Sequence, residues 1–224
     1  MTKILLTLFL TTVILNTIVA EIKKYKPVHN CPEIPSNGQK YVSPINTNTN
    51  EKLDLHYQDC VLCPSDVKEC YIRPLFTPQE TGLEKSNYGN FEQYLNKPIK
   101  NGIFYFHAYN DSDKHAYGGE CGLGVRYAMH AAVGGAFFSG ATKNWPRSEL
   151  NDLSYHSIHD EKVCIDICVK IEYDNKILTI PVMDETDYLH VNELDLSEEA
   201  FNWLKPDTWA PPKPATITYL KCPK

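Results

Sequence analysis

The chain has 224 residues, with 22 Lys and Arg against 28 Asp and Glu and a formal net charge of −6. That length accommodates one domain with a real core, together with an extension. The acidic balance and the lack of any Lys/Arg cluster argue against a nucleic-acid partner, because phosphate binding requires a basic patch.

Met1 to Ala20 reads as a secretory signal. Lys3 supplies the positive end, Ile4 to Ile18 is mostly apolar, and Ile18-Val19-Ala20 offers a small-residue cut before Glu21. A membrane anchor is the competing reading, but the run is short and Asn16 and several threonines interrupt it. The mature protein is therefore expected to be secreted, with no membrane association after cleavage. Eight cysteines follow: Cys31, Cys60, Cys63, Cys70, Cys121, Cys164, Cys168 and Cys222. An even count in a secreted chain predicts disulfides, with the pairing left open. Cys60-Val61-Leu62-Cys63 has the spacing of half a zinc site. No second such pair follows, so neither metal nor cofactor is expected.

Residues 21–98 read as a cysteine-rich, irregular extension. Pro32, Pro35, Pro44 and Pro64 and the tract Asn46 to Asn50 resist regular elements, and 74–98 reads as a linker or wrap-around segment. Order is expected from Asn101-Gly102 onward, where Ile103 to Tyr109 reads as an aromatic-rich strand. Asn110-Asp111-Ser112 is a glycosylation sequon on the following loop. The glycine-dense run Tyr117 to Gly124 lacks the partners of a phosphate-binding loop, so its glycines are read as serving tight turns. Small residues over Arg126 to Val133 suggest a short, closely packed helix. Asn144 to Lys162 is read as a polar surface loop, where His156 and His159 are solvated rather than metal-bound.

Val163 to Tyr173 alternates apolar and polar residues with period two, as a strand with one buried face does. Asp174-Asn175 signals a turn, and Lys176 to Ile180 returns as a second strand. Pro181 there calls for an edge or a bulge. Two carboxylates follow at element ends: Asp184 closes the run Pro181-Val182-Met183, and Asp195 precedes Ser197, a good N-cap for a helix reaching Leu204. Such carboxylates either divide acid and base roles across a groove or serve as turn and helix-dipole residues. Ala215 to Leu220 is a last strand, with Cys222 tying the tail to the body.

Several blocks from Gly102 to Leu204, about half the chain, resemble the expansin family, which shares its six-stranded double-psi β-barrel with barwin-like and rare-lipoprotein-A-like domains. They are Tyr117 to Gly122, Ala131 to Gly140, Cys164 to Ile171, Val182 to Asp184 and His190 to Leu204. The last, with Asp-Leu-Ser before Ala200-Phe201, is the most specific. The resemblance implies a mainly β fold, with residues 99–224 as the barrel domain and its tail. It also implies a groove facing cell-wall polysaccharide such as cellulose, chitin or peptidoglycan, with Asp184 and Asp195 as groove aspartates. Tyr105, Tyr117, Tyr188 and Trp145 are candidate sugar-stacking residues, with core packing or incidental exposure the alternative for each.

The chain departs from the family in three places. Ile103 stands where expansins carry a Thr, Thr186 stands where an aromatic is expected, and 144–162 reads as an insertion. The leading expectation is a wall-binding or wall-loosening protein that does not hydrolyse its target. One alternative is a glycosidase or lytic transglycosylase with Asp195 as general acid and Asp184 as base or charge stabiliser. The other is a secreted protein-binding module, an inhibitor or a structural coat component.

Overall fold

The computed structural model describes residues 49, 62–74, 77–82, 84, 88–107, 129–137, 163–186, 188–204 and 213–223. The signal segment, Cys31, Cys60, Asn110, Tyr117, Cys121, Trp145, His156 and His159 lie outside the described residues, as do the side chains of His107 and Cys164. Seven strands are described: β1 (Glu69–Tyr71), β2 (Ile99–His107), β3 (Ala131–Gly134), β4 (Ile167–Tyr173), β5 (Lys176–Thr186), β6 (Glu193–Ser197) and β7 (Ala215–Lys221). Among the described residues three short α-helices lie between them, α1 (Pro78–Thr81), α2 (Val163–Asp166) and α3 (Glu198–Leu204), with 3-10 turns at Gly89–Gln93 and Gly135–Phe137.

The strands run in the order β1-β5-β3-β6-β2-β7-β4, and β4 also pairs with β5. That last pairing closes six strands into a barrel and leaves β1 as an addition along β5. Within the barrel two pairs are parallel, β2 with β6 and β3 with β5, and between them β3 runs antiparallel to β6; β1 also adds to β5 in parallel. Exchanging β2, β3 and β4 for β5, β6 and β7 reproduces every barrel pairing. The two halves of the domain are thus related by a pseudo-twofold, and the fold is the six-stranded double-psi β-barrel.

Alternation fills the interior. Ile167, Val169, Ile171, Leu178, Ile180, Val182, Leu194 and Ile217 are fully buried. The β4–β5 hairpin closes with Asp174 and Asn175 at φ 45° and 67°. Two successive left-handed residues are what a type I′ turn demands, and Asp and Asn tolerate it. Pro181 costs no ladder bond. Ile177 donates to Lys68 and Thr179 accepts from Ile72 on the β1 side. Alternation aims Pro181 the same way, where β1 has ended and β3 pairs only from Val182.

Both long strands change partners midway. β2 pairs with β7 at Ile99 and Gly102, then with β6 from Ile103. Asn101 takes φ 62° at the switch. A Cβ on Gly102 would lie 2.5 Å from the Ile217 side chain. The Asn-Gly pair therefore bends a continuous strand; it does not start one.

Three local expectations are corrected. The stretch expected to be a helix up to Val133 is strand β3 from Ala131, because small side chains suit a strand wedged between β5 and β6. The strand expected from Val163 begins at Ile167, after the single helical turn α2. The stretch read as a linker carries α1, whose N-cap Thr77 forms a capping box with Glu80.

Beyond α1, Phe91 is fully buried and stacks on Phe137 with ring centroids 4.5 Å apart. Ile72, Tyr88 and Phe91 belong to the same core as the barrel residues. Two disulfides are described, Cys63–Cys70 and Cys168–Cys222. The first makes Cys63 unavailable as a zinc ligand. The second ties the tail to β4, as expected.

Candidate functional site

The register brings the two aspartates into one row. Ala132 on β3 is the partner of both Asp184 on β5 and Asp195 on β6. Asp195 is in turn the partner of Tyr105 on β2. Residues in register on adjacent strands share a face. Asp184, Ala132, Asp195 and Tyr105 therefore line up across four strands. At roughly 4.8 Å per strand, the two aspartate Cα atoms lie about 10 Å apart.

The row faces outward. Its neighbours Leu194 and Leu196 are fully buried on the opposite face; within the row Tyr105 is 48% exposed, while Ala132, at 3%, and Asp184 are covered. Asp184 reaches this face through a bulge: Ala131 pairs with Val182 and the next residue, Ala132, with Asp184, so Met183 is the extra residue. Without it Asp184 would follow Leu178, Ile180 and Val182 into the interior; re-aiming a side chain is a recurring use of a bulge.

The two carboxylates are unequally available. Asp184 is only 8% exposed, and its Oδ1 accepts the Glu185 amide at 2.8 Å. Asp195 is half-buried, with Oδ1 shielded from solvent. It lies within β6, two residues before the cap, rather than at the helix start.

Ser197 caps α3 as the sequence suggests: its Oγ accepts from the Ala200 amide at 3.4 Å and from the His130 amide at 3.3 Å. The Ser197 amide donates back to the His130 carbonyl at 3.1 Å. One serine thus fixes both the helix start and the β3–β6 contact beside the row.

The β5–β6 loop bounds the row on its other side. Leu189 lies over Gly134, where a Cβ would come within 2.1 Å of the Leu189 carbonyl oxygen. Tyr188 on this loop is 76% exposed. Ile103 is 39% exposed and stands two residues before Tyr105 on the same face, in register with Glu193. The sequence marked Ile103 only as standing where expansins carry a Thr and did not single out Ala132; the pairings put both in place. Among the described residues, no cluster of three or more His, Cys, Asp or Glu is arranged to hold a metal ion, and no helix is long and apolar enough to cross a membrane.

The strand order and its pairings define a six-stranded double-psi β-barrel. No family model and no curated protein matches the chain. Among solved structures it is similar to the Streptomyces papain inhibitor, at 19% identity and a TM-score of 0.40 over 56% of this chain and 96% of that one. It is also similar to the apo expansin of Clavibacter michiganensis, at 17% identity and a TM-score of 0.36 over 57% of this chain and 51% of that one. The d78n mutant of that expansin, in complex with cellohexaose, matches at 19% identity and a TM-score of 0.35 over 55% of this chain and 50% of that one.

Proposed function

We propose that the protein is secreted and binds a cell-wall polysaccharide along the row Asp184–Ala132–Asp195–Tyr105, without cleaving it. The observation that carries this reading is the register that sets an exposed aromatic beside a half-buried carboxylate on one outward face. A pyranose ring stacks its C–H face on Tyr105, with its hydroxyls beside the half-buried Asp195 carboxylate. Ile103, two residues from Tyr105 on the same face of β2, widens the apolar contact beside it.

The unequal carboxylates support binding over hydrolysis. Two-carboxylate hydrolysis needs both groups to reach the sugar. Asp184 is nearly buried and its Oδ1 is engaged by a backbone amide, so Asp195 alone is positioned as a contact. Sedimentation of the mature protein with cellulose, chitin and peptidoglycan tests the reading, with released sugars assayed in the supernatant. Binding without release is expected. Release lost in Asp195→Asn would make the protein a glycosidase or lytic transglycosylase. Failure to bind any polymer would favour a protein-binding role.

A further inference from the structure

Strand β2 has an open edge over its second half. The Ile103 amide donates to the Asn192 carbonyl. The backbone groups of Ile103 and Tyr105 therefore point to β6, and those of Phe104 and Phe106 point the other way. On that other side β2 pairs with β7 only as far as Gly102 and Ala215. Prolines at 211, 212 and 214 cannot donate to a ladder, and β7 starts after them, at Ala215. Among the described residues, nothing hydrogen-bonds the backbone of Phe104 or Phe106 along this edge. The side chains agree. Tyr105 is 48% exposed on one face of β2 and Phe106 is 46% exposed on the other, whereas a strand flanked on both sides over a core buries one of the two.

We infer that this edge pairs antiparallel with the same edge of a second copy of the chain, about a twofold axis at Tyr105. The inference goes beyond the polysaccharide reading and does not rest on it. Self-pairing in this register sets Phe104 opposite the partner's Phe106 and Phe106 opposite the partner's Phe104. Each such pair exchanges two N–H···O=C bonds, so the open amides and carbonyls of both copies are satisfied with none left over. Tyr105 then lies against the partner's Tyr105, and every cross-strand pair from 104 to 106 is aromatic, which favours the ladder. Residues 103–106 carry no charge, so two acidic chains meet here without like charges in register. A segment this short buries less than the roughly 1,200 Å² of a standard interface, and the association is therefore weak and reversible.

Sedimentation velocity of the mature chain from about 1 to 300 µM tests this, with a monomer expected to give way to a dimer at a midpoint of about 10–100 µM. Phe106→Lys is expected to weaken the dimer at least about tenfold. Phe106→Pro removes an edge amide while leaving the β6 ladder intact, and is expected to do the same; thermal melts confirm that both variants fold. Cross-linking reads the register. Tyr105→Cys is expected to form a disulfide between copies, because non-hydrogen-bonded antiparallel partners bring their Cβ atoms within about 5 Å. Ile103→Cys, about 13 Å from its counterpart, is expected to form none.

A monomer at every concentration, a dimer that both Phe106 variants leave unchanged, or a dimer that Tyr105→Cys fails to cross-link would overturn the inference.

Discussion

At the scale of residues, a half-buried aspartate, an exposed tyrosine and two small residues between and beside them set the site. Replacing Tyr105 with Ala is expected to weaken polysaccharide binding by roughly tenfold while leaving stability within about 0.5 kcal/mol, because the ring is half in solvent. Parallel depletion assays and thermal melts separate the two effects. Gly134 has the opposite profile. A methyl there meets the Leu189 carbonyl oxygen at 2.1 Å, and backbone presses on backbone. Gly134→Ala is therefore expected to cost about 1–3 kcal/mol in a denaturant titration, and an unchanged midpoint would contradict the described path of the β5–β6 loop. The two aspartates were legible in the sequence, one closing an apolar run and one preceding a cap. Their alignment was not, because it passes through Ala132, in a stretch whose local composition favours a helix.

Among the elements, those with strong local chemistry were readable and those held by distant partners were not. Asp174-Asn175 announced a hairpin, and Ser197 with two following glutamates announced α3; both form as read. Strand β3 has four small residues and no periodicity, and only its pairing with β5 and β6 makes it a strand. The missed helical turn α2 shares its apolar alternation with the strand that follows, so period alone could not divide them. Ser197→Ala removes the cap on α3 and the side-chain acceptor for His130 together. The expected loss is about 1–2 kcal/mol, measured as a shift in the urea midpoint with unchanged slope. A neutral result would mean that the cap is dispensable once α3 is packed by Phe201 and Trp203.

For the whole molecule, closure and cross-linking set the stability. Cys168–Cys222 spans 54 residues, and a loop of that length is worth about 4 kcal/mol in the chain-entropy account. Cys168→Ala/Cys222→Ala is expected to lose about 2–4 kcal/mol; a loss no larger than that from cutting the seven-residue Cys63–Cys70 loop would contradict it. Alkali should also unfold the barrel. Burial pushes the Tyr71 phenol up to about 12. Burial likewise raises Tyr88, which also donates to Asp166, and Tyr219 inside the barrel. The folded state therefore keeps protons that the unfolded chain sheds near pH 10, and stability present below about pH 10 falls as pH rises toward 12 and beyond. Circular dichroism against pH checks this, and a flat profile to about pH 12 would contradict it. The central claim is that the outward row binds polysaccharide without cutting it. The most direct test sediments wild type, Asp195→Asn and Tyr105→Ala with insoluble cellulose, chitin and peptidoglycan while soluble sugar is assayed. Wild type is expected to be depleted by at least one polymer, with both variants retained less and no sugar released. Depletion that ignores both substitutions, or sugar release that Asp195→Asn abolishes, would contradict it.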